Sequence, residues 1–269
     1  MRLAIVGRGR AASALAPRWV AAGHTIVDQR ARGAPPVEGL AAADVVIVAV
    51  SDGAIAEVAR ALAGRPSARD EVWLHLSGSM PSSALRVSEG VPRRVGGLHP
   101  LVALTGDASG PLDAVAGIEG EDEAAAIAMR LAREVGLEPV HVDARFKLAY
   151  HAAAVTVAGH ATALFAQAMA LMGTAGIGPD DARRALQPLL MSAARNLAAG
   201  PPAMVSTGPI VRGDVGTVRG HLAAIADPHI RATYRLLART QLALVADGVE
   251  ATVREALAGL LDRADDASG

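Results

Sequence analysis

The sequence predicts an α/β protein in two parts: a doubly wound parallel sheet first, then an all-helical half entered through one long helix. Three observations carry this. Short apolar runs alternate with helical stretches up to about residue 143. The loop following nearly every run holds Gly, Ser or His. After Asp143 no strand pattern recurs. The boundary therefore falls between residues 1–143 and 144–269.

The first run, Arg2 to Gly7, reads as a buried strand. It leads into Gly7-Arg8-Gly9-Arg10-Ala11-Ala12, a G-x-G-x-x-A pattern, and a helix over Ala11–Ala22 closed by Gly23. Strand, glycine turn and helix in this order make the dinucleotide fingerprint of a Rossmann sheet. The first glycine permits the tight turn, and the second lets backbone amides approach a pyrophosphate. The helix N-terminus then offers unpaired N–H groups to the phosphates. Gly7, Arg8, Gly9, Arg10 and Ala11 are the expected cofactor contacts.

The second strand spans His24–Gln29. Asp28, 21 residues after Gly7, could bind a ribose 2′-hydroxyl and favour NAD. Arg30 and Arg32 at the strand exit could instead hold a 2′-phosphate and favour NADP. Two arginines at that exit tilt the expectation to NADP, with NAD possible.

Ala43–Val50 suits a central strand covered on both faces. Val50, Ser51 and Asp52 follow at its carboxyl end, where ligands bind in such sheets, ahead of a helix over 53–63. Ser51 or Asp52 would cap that helix. Glu71–Leu76 is a strand ending in Ser77-Gly78-Ser79, and Arg93–Leu98 is another ending in His99-Pro100. Ala114–Ile118 and Pro139–Val142 flank a helix over 121–135. Phe146–Met172 is one helix, about 40 Å long at 1.5 Å per residue. Further helices are expected over 179–198, 214–226, 228–245 and 248–263, the first opened by Pro179-Asp180-Asp181.

Composition narrows the function. Net charge is −1, so no basic field points to nucleic acid. There is no cysteine, which excludes disulfides and thiol chemistry and fits a reducing cytoplasm. The segment 149–172 is apolar, but His151, His160 and Gln167 interrupt it, so it reads as a buried helix of a soluble protein and not a membrane span. The same surplus of apolar surface suggests a homodimer. No His or Cys pair has metal-ligand spacing, so no metal is expected.

Lys147 is the single lysine among 26 Lys and Arg residues. A lysine ammonium can lose its proton near neutral pH, and an arginine cannot. His151 lies four residues on and shares its helix face. Tyr150 projects roughly 100° away from His151. Lys147 and His151, with Tyr150, are the candidate catalytic groups, for charge stabilisation and proton transfer.

The chain resembles the bacterial family that joins a Rossmann-like domain to the domain of unknown function 2520, within the 6-phosphogluconate dehydrogenase-like and pyrroline-5-carboxylate reductase-like superfamily. The pieces are Ala49-Val50-Ser51-Asp52, Leu76-Ser77-Gly78-Ser79, Leu98-His99-Pro100-Leu101, Glu119-Gly120, Lys147 to His151, and Thr207-Gly208-Pro209-Ile210-Val211-Arg212-Gly213-Asp214. The resemblance implies that Lys147 faces substrate. It departs from the β-hydroxyacid dehydrogenases at position 151, where they carry asparagine and this chain histidine. It also places the Ser77-Gly78-Ser79 loop where related enzymes bind a substrate carboxylate, and His99 and Pro100, at a strand end, are further candidate substrate contacts. Arg212 is a further carboxylate clamp, in the same or the partner subunit.

The expected activity is an NADP-dependent oxidoreductase acting on a small carbonyl or imine substrate that bears a carboxylate. The alternative is a dinucleotide-binding sensor without turnover.

Overall fold

The computed structural model describes residues 1–31, 42–63, 71–86, 94–104 and 110–262. The chain divides into two compact units, Met1–His160 and Ala161–Gly269.

The first unit is built on one seven-stranded sheet of order β2-β1-β3-β4-β5-β6-β7. The strands are β1 Arg2–Val6, β2 Thr25–Arg30, β3 Val45–Val48, β4 Val72–His75, β5 Arg94–Leu101, β6 Ala114–Gly120 and β7 Leu137–His141. Strands β1 to β5 are mutually parallel, β6 runs antiparallel to β5, and β7 is parallel to β6. The sheet is thus mostly parallel, with its direction reversed over the last two strands.

Helices cover both faces, as the continuous apolar runs require. On one face α1 (Arg10–Ala21) and α3 (Asp122–Arg133) bury Leu15, Trp19, Ala128 and Leu131 against Leu3, Ile5, Ile47 and Leu74. On the other, α2 (Ile55–Ala63) and the 3-10 turn Ser82–Leu85 bury Ile55, Val58 and Leu85 against Ala4, Val46, Val48 and Trp73. Successive strand residues point to opposite faces, so Val45-Val46-Ile47-Val48 feeds both cores.

β5 runs further than its sequence suggests. His99 and Pro100 lie within the strand and do not follow it, because β6 pairs with it through Leu101. β4 reaches only Arg94–Gly97, so the extension has a free edge, where proline is tolerated.

The helix α4, Lys147–Thr174, starts in the first unit. The expectation that it is a buried helix does not hold within this chain. Lys147 is its one buried residue, and Leu148 and Val157 are 73% and 77% exposed. With the short turn before it, Ala144–Thr174 is long and apolar enough to cross a membrane by length and composition.

The second unit is helical in its described residues: the remainder of α4, then α5 Pro179–Ala199, α6 Pro202–Val205, α7 Val215–Ala224, α8 Pro228–Leu244 and α9 Ala251–Asp262. Its core joins Ile210, Val218, Leu222, Leu242, Leu257 and Leu261. Asp214 caps α7, its carboxylate accepting from the Thr217 N–H at 2.9 Å.

Candidate active site

Parallel strands deliver their exit loops to one sheet edge, so the turns after β1, β3 and β4 gather at one place. They are also joined to each other. Gly7 has φ of +132°, and a Cβ there would lie 2.0 Å from the Ala49 carbonyl oxygen, so only glycine fits. Ala49 N–H donates to Val6 O at 2.8 Å. Ser79 Oγ donates to Asp52 Oδ2 at 2.5 Å, tying the turn after β4 to the turn after β3.

The glycine turn fits a dinucleotide's phosphates. Gly9 is the N-cap of α1 with no side-chain cap, and the first turn holds no acid. A Cβ at Gly9 would meet nothing within 4 Å, so the helix end is open. Arg8, Gly9 and Arg10 are exposed and Ala11 half-buried.

Asp28 and Arg30, the two described residues expected at the ribose, are engaged with each other. Asp28 and Arg30 are two apart on β2, so they share a face of the strand, and they form an ion pair with side chains 7% and 6% exposed. Burial pushes the Arg30 guanidinium below its ordinary pKa. Neither group is left to address a ribose. Arg32, the other arginine expected there, lies outside the described residues.

At the exit of β3, Val50 is half-buried and Ser51 exposed. Ser51 precedes a 3-10 turn, but its side chain makes no cap bond. Burial works against the Asp52 carboxylate. Hydrogen bonds from Ser79 and Ser77, with the nearby histidines, outweigh it and hold Asp52 below the usual carboxylate range.

The serine loop after β4 is fastened from beneath. His75, wholly buried, accepts the Ser77 N–H at Nδ1 (3.2 Å), so its own proton is on Nε2. Ser77 Oγ accepts from Ser79 N–H at 3.2 Å and from Met80 N–H at 3.0 Å. Burial, then the Lys147 charge, lowers His75 to about 4, so it is neutral at pH 7.

Lys147 enters the same loop from α4. It is 3% exposed. Its Nζ donates to Ser77 O at 3.2 Å and lies 3.7 Å from Glu119 Oε2. Burial lowers its pKa from the ordinary lysine value, opposed by Glu119 and then Asp52. Glu119 is in turn held by the Ser82 N–H and Oγ, both at 2.7 Å. A Cβ at Gly97 would lie 3.0 Å from Lys147 Nζ and from His75 Cε1, so this glycine makes room for both.

His99, Tyr150 and His151 complete the cluster. Tyr150 Oη and His99 Nδ1 are 3.0 Å apart, and either can donate. The His99 ring meets Tyr150 and His151 edge-on, at 5.6 Å and 5.5 Å between centroids. Burial, then the His151 and Lys147 charges, lowers His99 to about 4. Burial raises Tyr150 above its ordinary value. A Cβ at Gly78 would lie 2.5 Å from His151 Nδ1 and 2.8 Å from His99 Nε2. His151 Nδ1 is buried there with no partner among the described residues.

The structure therefore brings Ser77, Gly78, Ser79, His99, Lys147, Tyr150 and His151 together, with Asp52 beside them. Pro100 is buried in β5 next to the cluster. Arg212 is exposed on the turn before α7 in the second unit. Sequence reasoning passed over His75 and Ser82 and gave Glu119 no role. The one visible signal was His75 itself, a polar residue closing an otherwise apolar run.

Residues 114–241 match the family model described as Domain of unknown function (DUF2520). No curated protein matches the chain in sequence. Solved structures share its fold. One is a Bacteroides fragilis protein described as a candidate NADP oxidoreductase. It is 22% identical, with 90% of this chain and 98% of that one covered and a TM-score of 0.73. A 1-pyrroline-5-carboxylate reductase from Streptococcus pyogenes is 15% identical, with 97% of each chain covered and a TM-score of 0.59. A reductive aminase from Aspergillus terreus, solved with NADPH4, cyclohexanone and allyl amine, is 20% identical, covering 97% and 92%, with a TM-score of 0.58. This chain thus shares their fold.

The Lys147–Glu119 pair gives a stability prediction. Removing one partner of a buried pair leaves an uncompensated charge and costs about 3–5 kcal/mol. Lys147→Met should lose that much in urea unfolding, and Lys147→Met with Glu119→Gln should recover most of it. Additive losses would contradict the pairing.

Proposed function

We propose that this protein is an NADP-dependent reductase that delivers hydride to a small carbonyl or imine substrate bearing a carboxylate. One observation carries the reading. An uncapped glycine turn and a Lys–Tyr–His cluster share one sheet edge, where Ala49 meets the glycine turn and Asp52 and Ser79 join the turns after β3 and β4. The names of its structural neighbours support the reading: one is described as an NADP oxidoreductase, one reduces a cyclic imine carboxylate, and one was solved with NADPH, a ketone and an amine.

The nicotinamide, when bound, supplies the hydride. The chain's residues must then supply a proton to the substrate oxygen or nitrogen. Tyr150 Oη gives it, and His99, 3.0 Å behind, relays the replacement, passing its Nδ1 proton to the tyrosine oxygen as its Nε2 takes up another. His151 Nε2 is the second donor. Lys147 is too buried to be the direct donor. Its charge favours the anion forming above it, and its bond to Ser77 O fixes the loop. Ser77 and Ser79 offer polar groups to substrate.

A non-catalytic dinucleotide sensor would share the glycine turn but has no use for the Tyr150–His99 pair. NADPH consumption with cyclohexanone plus allylamine, and with 1-pyrroline-5-carboxylate, separates the two. Turnover with either probe is expected, and Tyr150→Phe should lower kcat by about 10²- to 10³-fold while NADPH affinity holds. NADPH binding without consumption of any probe would favour the sensor.

The working form in this reading is a cytoplasmic homodimer. Leu148, Val157 and Leu164 of α4 are 73%, 77% and 45% exposed, an apolar surface that a second copy would cover. Light scattering should give twice the 27.3 kDa chain mass, and a lone 27.3 kDa species would contradict the dimer.

A further inference from the structure

A protein that prefers NADPH over NADH must recognise the 2′-phosphate, a dianion on the adenosine ribose. In a Rossmann sheet that ribose lies over the carboxyl end of β2. Four arginines stand near this place in the sequence, and the structure separates the three that it describes.

Arg30 ends β2, but its guanidinium turns into the protein and pairs with Asp28. This pair has a consequence for selectivity. A bare carboxylate near the ribose hydrogen-bonds a 2′-hydroxyl and repels a 2′-phosphate. Arg30 cancels the Asp28 charge from the same face of the strand. It removes the obstacle to the phosphate without itself being presented to it.

Arg10 begins α1 and is exposed on the helix. Its position suits the pyrophosphate, which both cofactors share, so it gives no discrimination. Arg8 is different. It lies inside the glycine turn, and the turn is clamped to the end of β2 by Gly7 N–H donating to Arg30 O at 2.8 Å. Its exposed guanidinium reaches across to that strand end, Nη2 lying 3.4 Å from Gln29 O. Among the described residues no carboxylate pairs with it. Arg8 is therefore a cation held over the end of β2, at the surface, with donors to spare.

Resting on the dinucleotide reading above, we propose that Arg8, among the described residues, selects NADPH by a charge-assisted contact to the 2′-phosphate, and that the buried Asp28–Arg30 pair is the neutralised acid that permits it. A planar guanidinium presents several N–H donors to phosphate oxygens, which an ammonium cannot match.

Calorimetric titration of the full chain with NADPH and with NADH tests this, with thermal melting as the check on folding. Arg8 is exposed, so Arg8→Ala should fold as the natural protein does. NADPH binding is expected to weaken at least tenfold in Arg8→Ala, with NADH affinity within about twofold. Arg8→Lys should retain part of the preference. Arg10→Ala should leave the ratio of the two affinities unchanged. If Arg8→Ala keeps the natural NADPH-to-NADH ratio, or the natural protein prefers NADH, the assignment of Arg8 is overturned and the reductase reading stands. If the natural protein binds neither cofactor, both fall.

Discussion

The site depends on a single buried ammonium. Lys147 opens α4 and is almost fully enclosed, so its charge has to be met inside the protein. Glu119 on β6 meets it, Ser82 fixes Glu119, and the Ser77 carbonyl takes a further N–H. One charge thereby binds four elements: the start of α4, β6, the loop after β4 and the 3-10 turn that follows. Replacing lysine by arginine would not serve, since Gly97 leaves space for a compact ammonium and little more. A chain that otherwise uses arginine for every cation keeps its one lysine where only lysine fits.

The loop held in this way is gripped again from the other side. Gly78 lies between His99 and His151, with no room for a side chain against either. The histidines differ in setting. His75 is enclosed and orients a backbone N–H, whereas His99 is linked to Tyr150 and can pass a proton. Two neutral histidines and a tyrosine beside a fixed positive charge favour the formation of an anion and its protonation.

Much of this was legible in the sequence, because strand exits are marked by where apolar runs stop. The glycine turn and the serine loop could be placed from that alone, and the Lys147–His151 stretch from its single lysine and its helical spacing. What escaped had physical reasons. The reversal at β6 was invisible because the run Ala-Val-Ala-Gly-Ile pairs equally well in either direction. Strand alternation already puts Asp28 and Arg30 on one face, but their mutual pairing needed the coordinates. His75 and Ser82 act on backbone and carboxylate partners distant in sequence. The apolar character of α4 led to the expectation of a buried helix, but periodicity alone does not distinguish cover by the same chain from cover by a second one.

A crystal structure with NADPH tests the central claim most directly. The account predicts the pyrophosphate at the uncapped start of α1 and the nicotinamide ring facing Tyr150 and His151. The hydride-bearing carbon should leave a space about 3–3.5 Å across for the reacting atom. A cofactor whose nicotinamide points away from Tyr150, His99 and His151, or one bound elsewhere on the chain, would contradict it.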